Sequence, residues 1–208
     1  MNVEVWQVGL AQPPDVVRGL GAFLSTAERE RAARLKRPGA SERWTVARGA
    51  LRVLLGARMA LLPEEVVIEI GPHGKPELSG TLTCFNLTHS GELALIALAE
   101  DCDVGIDVER PGRNTAAVTR TLSEGERASG DDPLQIWCRK EALAKAIGGG
   151  LQWAPQDFDT TRPRGYALTD LPLAGGYVGA LAAAGRSAAF TLHRLALGSR
   201  PAADAGRS

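Results

Sequence analysis

The chain has no cysteine framework: Cys84, Cys102 and Cys138 are odd in number and show neither CxxC nor Cys/His metal spacing. That excludes a disulfide-built secreted scaffold and a structural zinc site, and leaves free buried thiols as the expectation. An excess of either charge is also missing, with 24 Lys and Arg against 24 Asp and Glu. Without an overall positive field, non-specific nucleic-acid binding has no basis and no nucleic-acid partner is expected. Long hydrophobic runs are absent as well. The longest, Leu93 to Ala99, is far short of the roughly 20 residues that span a bilayer, so no membrane partner is expected. The opening MNVEVWQVGLAQPP has neither a basic nor a sustained apolar signal region, and cytoplasmic residence is the expectation. What remains is an ordinary globular composition, 44% hydrophobic and 23% charged over 208 residues, long enough for one domain or two small ones.

The balanced total hides one imbalance. Residues 29–58 hold nine basic residues against Glu30 and Glu42, a net +7. A solvated, arginine-rich helix surface accounts for most of them. Arg48 and Arg52, one turn apart in an amphipathic segment from Arg43 to Leu62, are the better candidates for holding an anionic small molecule. That segment carries the apolar stripe Trp44, Leu51, Leu55 and Leu62 and is closed by Pro63. Beyond it, VVIEI (66–70) reads as a strand, GPHGKP as a turn, and TLTCFNLTHSGELALIALAE as two strands joined at Ser90-Gly91. DVGIDVE reads as a further strand, the stretch near Ser123 to Ala128 as helix-like, and WCRKEALAKAIGGG as a helix. RGYALTDLP and GGYVGALAAAG echo VVIEIGPHG and GELALIALAED in order and character, which points to two similar lobes. The expected fold is α+β: two pseudo-symmetric lobes, 1–102 and 103–197, each a helix packed on a small antiparallel-rich sheet with the active site between them. Residues 198–208 read as a disordered tail.

Three motifs carry possible chemistry. In Asp103-Val104-Gly105-Ile106-Asp107-Val108-Glu109 the period of two sends Val104, Ile106 and Val108 to the core. Asp107 and Glu109 then emerge together on the other face, about 7 Å apart, within reach of one hard cation. A D-x-E pair alone is equally an ordinary solvent-facing strand. In the helix around Trp137 to Lys145, Ile136, Leu143 and Ile147 form the core stripe, while Trp137, Glu141 and Lys145 share another face. Glu141 and Lys145 are either a common i,i+4 pair or a third carboxylate with a counter-charge for bound phosphate. In Phe85-Asn86-Leu87-Thr88-His89-Ser90-Gly91, Thr88, His89 and Ser90 can donate to an oxyanion, and simple turn chemistry competes with that reading. Nothing resembles a serine-hydrolase elbow.

In order along the chain, GKPEL (74–78), FNLTHSG (85–91), VGIDVE (104–109) and WCRKEALAK (137–145) together resemble the Sfp-type 4'-phosphopantetheinyl transferases, in the group whose third motif reads W-x-x-KEA. The likeness in layout runs from about Val3 to Leu197. It implies transfer of the phosphopantetheine arm of coenzyme A to a serine of an apo acyl or peptidyl carrier protein, with adenosine 3',5'-bisphosphate released. The carriers implied are those of polyketide, nonribosomal peptide or fatty acid assembly. By the same resemblance, Asp107, Glu109 and Glu141 hold Mg²⁺, or Mn²⁺ in its place. Glu141 is the base, with Glu109 the second choice, and Lys145 stabilises the leaving phosphate. Thr88 and His89 hold the pyrophosphate, with Asp107 and Lys145 beside it. Lys75 and Pro76 sit by the adenosine end, and Arg43, with Arg29 and Arg31, serves the 3'-phosphate, although Glu28 is an acidic intrusion there. A monomer is implied. Two alternatives stay open: a metal-dependent hydrolase of nucleotide pyrophosphates using the same carboxylates, and a non-catalytic module that binds carrier protein or coenzyme A.

Overall fold

Asn2–Gly9 forms a strand, β1, in a stretch to which the sequence reading assigns no element. The structure, a computed structural model, describes residues 2–71, 74–148, 159–163 and 165–198. Past Gly198 the expected tail lies outside the described residues, as does His73 of the GPHGKP turn. The chain divides into two compact units, one made of the residues up to Gln7 with Val67–His193, the other of Val8–Val66 with the residues from Arg194 on.

The second unit is helical: α1 (Pro14–Ala22), α2 (Thr26–Ala33) and α3 (Ala40–Met59), followed by a short 3₁₀ turn at Pro63–Glu65. A capping box starts α2. The Ser25 side chain accepts from Glu28 N–H while the Glu28 carboxylate accepts from Ser25 N–H, which satisfies two otherwise orphaned donors. Gly49 of α3 lies against α1, where an added Cβ would come within 2.7 Å of Leu20 Cβ. The stripe of α3 is borne out at Leu51 and Leu55, both fully buried, but not at Leu62, which is 56% exposed. The helix ends earlier than Pro63: Ala60 turns left-handed at φ 54° and Leu61 N–H bonds back to Gly56 O.

This unit corrects the anion reading of Arg48 and Arg52. Both are buried, and their Nε atoms donate to the two oxygens of Glu28 at 2.5 and 2.7 Å. Arg52 Nη1 also donates to the carbonyls of Pro63 and Val66. Arg52 thus holds α2 and the 63–66 turn to α3. Glu28, read from the sequence as an intrusion into a phosphate site, instead faces inward and pairs with two buried guanidiniums, one through each oxygen. Burial pushes its pKa up, but the hydrogen bonds from Arg52, Ser25 N–H and Arg48 outweigh that and leave it lowered.

Among the described residues the sheets lie in the first unit, apart from the ends of the first and last strands. A four-stranded sheet has the order β4-β5-β1-β9, a three-stranded sheet β6-β8-β7, and β2 pairs with β3. The strands are β2 (Glu69–Ile70), β3 (Pro76–Glu77), β4 (Thr83–Ser90), β5 (Leu93–Glu100), β6 (Val104–Glu109), β7 (Tyr166–Asp170), β8 (Val178–Ala184) and β9 (Ala189–Arg194). VVIEI is thus a strand only in its last two residues. The β4/β5 pair is an antiparallel hairpin with Ser90 opposite Leu93, and Gly91 turns it at φ 59°. β5 is buried at every position from Ala94 to Ala99, the pattern of a strand covered on both faces. The α+β class and the antiparallel pairing match expectation. The expected lobe boundary at 102/103 falls inside this one unit, because Val3, Val5, Leu95 and Ala97 share a core with Val104, Ile106, Val108 and Leu181.

Helix α5 (Pro133–Ile147) covers β6 and β8, its Cys138, Ala142 and Ala146 packing on Ala180 and Ala182. Asp132 caps its start, accepting from Leu134 N–H at 2.7 Å, with Pro133 in the first turn. Gly148 ends it at φ 77°. Both signals are the usual helix punctuation. Ile147 of the expected core stripe is exposed, while Ile136 and Leu143 are buried. Cys102 and Cys138 are buried free thiols, and Cys84 is half-buried and free.

Candidate active site

All six residues of β6 are buried, including Asp107 and Glu109 at 5% and 7% exposure. The face opposite Val104, Ile106 and Val108 therefore does not look into solvent; α5 lies over it. Gly105 makes this possible, since a Cβ there would stand 2.1 Å from Ala142 O and 2.4 Å from Ala146 N. The missing side chain lets the helix backbone come down onto the strand. Arg139 anchors the other side of α5, donating from Nε and Nη2 to Asp170 of β7 and from Nη1 to Asp131. Lys140, next to Glu141, turns inward and pairs with Glu126 at 2.8 Å, both side chains essentially inaccessible. Glu126 belongs to a short helix, α4 (Glu124–Ser129), in the stretch expected to be helical. Its carboxylate also accepts from Ser123 N–H and from Thr160 N–H and Oγ1.

Strand β4 meets β6 through alternate polar side chains. Asn86 Oδ1 accepts from Ile106 N–H at 3.0 Å, Thr88 Oγ1 donates to Asp107 Oδ1 at 3.0 Å, and Ser90 Oγ donates to Glu109 Oε2 at 3.0 Å. The two strands belong to different sheets, and these three contacts join them. Lys145 of α5 completes the cluster: its Nζ lies 2.5 Å from Asp107 Oδ1, 3.3 Å from Thr88 Oγ1 and 3.2 Å from Ile106 O. Glu141, one turn before it, is half-buried. Burial and then the charge of Asp107 raise its pKa above the usual carboxylate range, opposed by Lys145 and Arg113. A carboxylate held more basic than usual is suited to accept a proton from a hydroxyl. Burial first, and the Asp107 charge second, push the Cys138 thiol up, so it stays protonated beside the cluster.

The expected residues are not all brought together. His89 points from the opposite side of β4 to Thr88 and is exposed. Lys75 donates to the carbonyls of Val104 and Ala146, both at 3.3 Å, at the start of β6 and the end of α5. Burial lowers its pKa, with Asp103 acting against this. Pro76 opens β3 opposite Ile70. Arg43 belongs to the other unit, in the first turn of α3, where its Nη2 donates to Pro38 O at 3.0 Å. Arg31 lies over the Trp44 ring, and Arg29 bonds Leu24 O and Thr26. The sequence reading passes over Asn86 and Arg113. The first was signalled by the period-two N-x-T-x-S pattern, and the second by its place four residues after Glu109, with which it forms an ion pair.

Among the described residues no group of three or more His, Cys, Asp or Glu side chains is gathered for a metal. Asp107 is paired with Lys145 and Glu109 with Arg113, so the like charges are held by separate cations. Yet Asp107 Oδ2 is buried and accepts no hydrogen bond. A buried carboxylate oxygen without a partner is costly, and a hard cation bound there would satisfy it. On that observation Asp107, with Glu141 beside it, fits a divalent ion.

An α+β protein that brings carboxylates of β6 and α5, a lysine of α5 and a hydroxyl of β4 together is equipped for base-assisted transfer of a phosphate-bearing group. The comparisons with known proteins agree. A model of the 4'-phosphopantetheinyl transferase superfamily matches residues 103–176. The 4'-phosphopantetheinyl transferase HetI of Nostoc sp. (strain PCC 7120) is 35% identical over 168 residues, 72% of this chain and 70% of its own length. The 4'-phosphopantetheinyl transferase AcpT of Salmonella typhi is 35% identical over 135 residues, 59% of this chain and 68% of its own length. A Synechocystis relative is 31% identical over 163 residues, 71% of this chain and 65% of its own length. The chain thus spans about two thirds of the length of these relatives, and it belongs to the 4'-phosphopantetheinyl transferase superfamily. This is the family that the four motifs resemble.

Proposed function

We propose that this protein transfers the 4'-phosphopantetheine arm of coenzyme A to a serine hydroxyl of an apo acyl or peptidyl carrier protein, releasing adenosine 3',5'-bisphosphate. The observation that carries the reading is the Asp107 carboxylate, held by Lys145 and Thr88 through one oxygen and unpartnered at the other, with Glu141 one helical turn from Lys145. The relatives HetI and AcpT are named as transferases, and nothing in them favours a hydrolase or a silent binding module.

In the reaction the serine oxygen forms a bond to the phosphorus that carries pantetheine, and the pyrophosphate P–O bond to the adenosine half breaks. Glu141 takes the serine proton, with Glu109 the second candidate; the raised basicity of Glu141 favours it. Lys145 neutralises charge on the departing phosphate, and Thr88 orients Asp107. Mg²⁺, or Mn²⁺, held by Asp107 and Glu141 with Glu109, would supply charge neutralisation on the pyrophosphate oxygens. Thr88 would line the pyrophosphate, and Lys75 and Pro76 the adenosine end; His89, on the opposite side of β4, is left out of this site. We read the protein as a cytoplasmic monomer serving carriers of polyketide, nonribosomal peptide or fatty acid assembly. No described helix is long and apolar enough to cross a membrane.

The test is intact-protein mass spectrometry of an apo carrier protein incubated with this protein, coenzyme A and Mg²⁺, with EDTA as control. A metal-dependent gain of one phosphopantetheine is expected. Consumption of coenzyme A without mass gain on several carriers would instead establish hydrolysis.

A further inference from the structure

One cation in the cluster is unused by the mechanism above. Arg113 follows β6, and its Nη1 donates to Glu109 Oε1 while the guanidinium carbon lies 5.4 Å from the centre of the Trp137 ring. Trp137 is on the α5 face that carries Glu141 and Lys145. The guanidinium therefore stands over one carboxylate of the expected metal set and close enough to another, Glu141, to act on its charge.

We infer that Arg113 is a built-in competitor of the divalent cation at Glu109, and so sets how tightly the Asp107, Glu109 and Glu141 set takes a metal. The inference rests on the reading that these carboxylates hold a hard cation. Two holds keep the arginine in place. One is a partly exposed i,i+4 ion pair and the other a cation–π contact, and neither is a strong hold at such a site. A guanidinium held that weakly can be displaced by a doubly charged ion. While it remains, it opposes that ion in two ways, by occupying Glu109 and by placing a like charge a few ångströms away. Removing it leaves Glu109 Oε2 with the Ser90 hydroxyl and frees Oε1 for a metal. Lysine at this position would keep the charge but lose the planar fork that lies on the indole.

Direct binding of Mn²⁺ by the full chain tests this, following the free-ion signal by electron paramagnetic resonance with and without coenzyme A. Arg113→Met is expected to bind Mn²⁺ about tenfold more tightly than the unaltered protein, the effect of removing one nearby positive charge. Arg113→Lys is expected to stay within about twofold of the unaltered protein, because the charge remains. The metal concentration for half-maximal transfer should fall in parallel for Arg113→Met. Unchanged or weaker Mn²⁺ binding by Arg113→Met, with its thermal melt preserved, overturns the inference and leaves the transfer reading standing. Equal tightening in both variants also overturns it, since charge would then not be the cause. Absence of Mn²⁺ uptake by all three proteins overturns the inference and the metal assignment together, and the carrier mass gain would still report separately on transfer.

Discussion

Glu141→Gln changes a carboxylate to an amide of the same shape at a half-buried position that makes no described ion pair, so the fold should survive. If Glu141 takes the serine proton, transfer should fall by at least about a hundredfold, the usual contribution of a positioned base. Single-turnover loading of an apo carrier measures this, and rates like those of the unaltered protein would remove Glu141 from the mechanism. The residue types at this site were legible in the sequence: Asp107, Glu141, Lys145 and Thr88 stand close together as their motifs imply. Partnerships were less so. Arg48 and Arg52 look like anion ligands when only their own helix is considered. Their charge is already taken by Glu28, twenty or more residues earlier, and sequence spacing does not reveal a bond made across two helices.

At the scale of elements, the site depends on how closely α5 approaches β6. Gly105→Ala would drive a methyl group into the backbone of Ala142 and Ala146, and backbone cannot rotate aside as a side chain can. The expected cost is about 3 kcal/mol, at the upper end for overpacking, together with a loss of transfer as Glu141 and Lys145 shift with the helix. Urea unfolding followed by circular dichroism checks the first part, and unchanged stability would show that the helix is not seated on this glycine. The alternation in VGIDVE identified the valine and isoleucine face of β6 correctly. It could not show what covers the other face, because the cover is supplied by residues some thirty positions later. β1 had a readable signal too, Val3 and Val5 alternating with polar neighbours, whereas the early end of α3 at Ala60 is set by a left-handed residue that no helix-stop rule singles out.

Across the whole molecule, two buried carboxylates make stability depend on acid in a defined direction. Burial alone would raise both Glu28 and Glu126. Arg52, Ser25 N–H and Arg48 on the first, and Lys140, Thr160 and Ser123 on the second, outweigh it and leave both lowered. A group whose folded pKa is depressed contributes stability above its unfolded value, near 4.5, and that contribution is lost as the pH falls through the folded value. Melting temperature should therefore hold above about pH 5 and fall steeply below about pH 4. Glu28→Gln should cost about 3–5 kcal/mol at pH 7, because two buried guanidiniums lose their counter-charge. It should also flatten the acid limb, and an acid limb of unchanged slope would assign the acid sensitivity elsewhere.

The position of β1 between β5 and β9 bears on how this protein is made. Synthesis runs from β1 towards β9, and about 180 residues separate the two, so at ordinary translation speeds β9 follows roughly 10 to 40 seconds later. Throughout that interval β1 has an open edge on its β9 side, the kind of surface that chaperones bind and that aggregates. The α1–α3 unit needs only neighbours made shortly before it and can fold on the ribosome meanwhile. A nascent chain halted before β9 should thus carry a first strand still open on one edge.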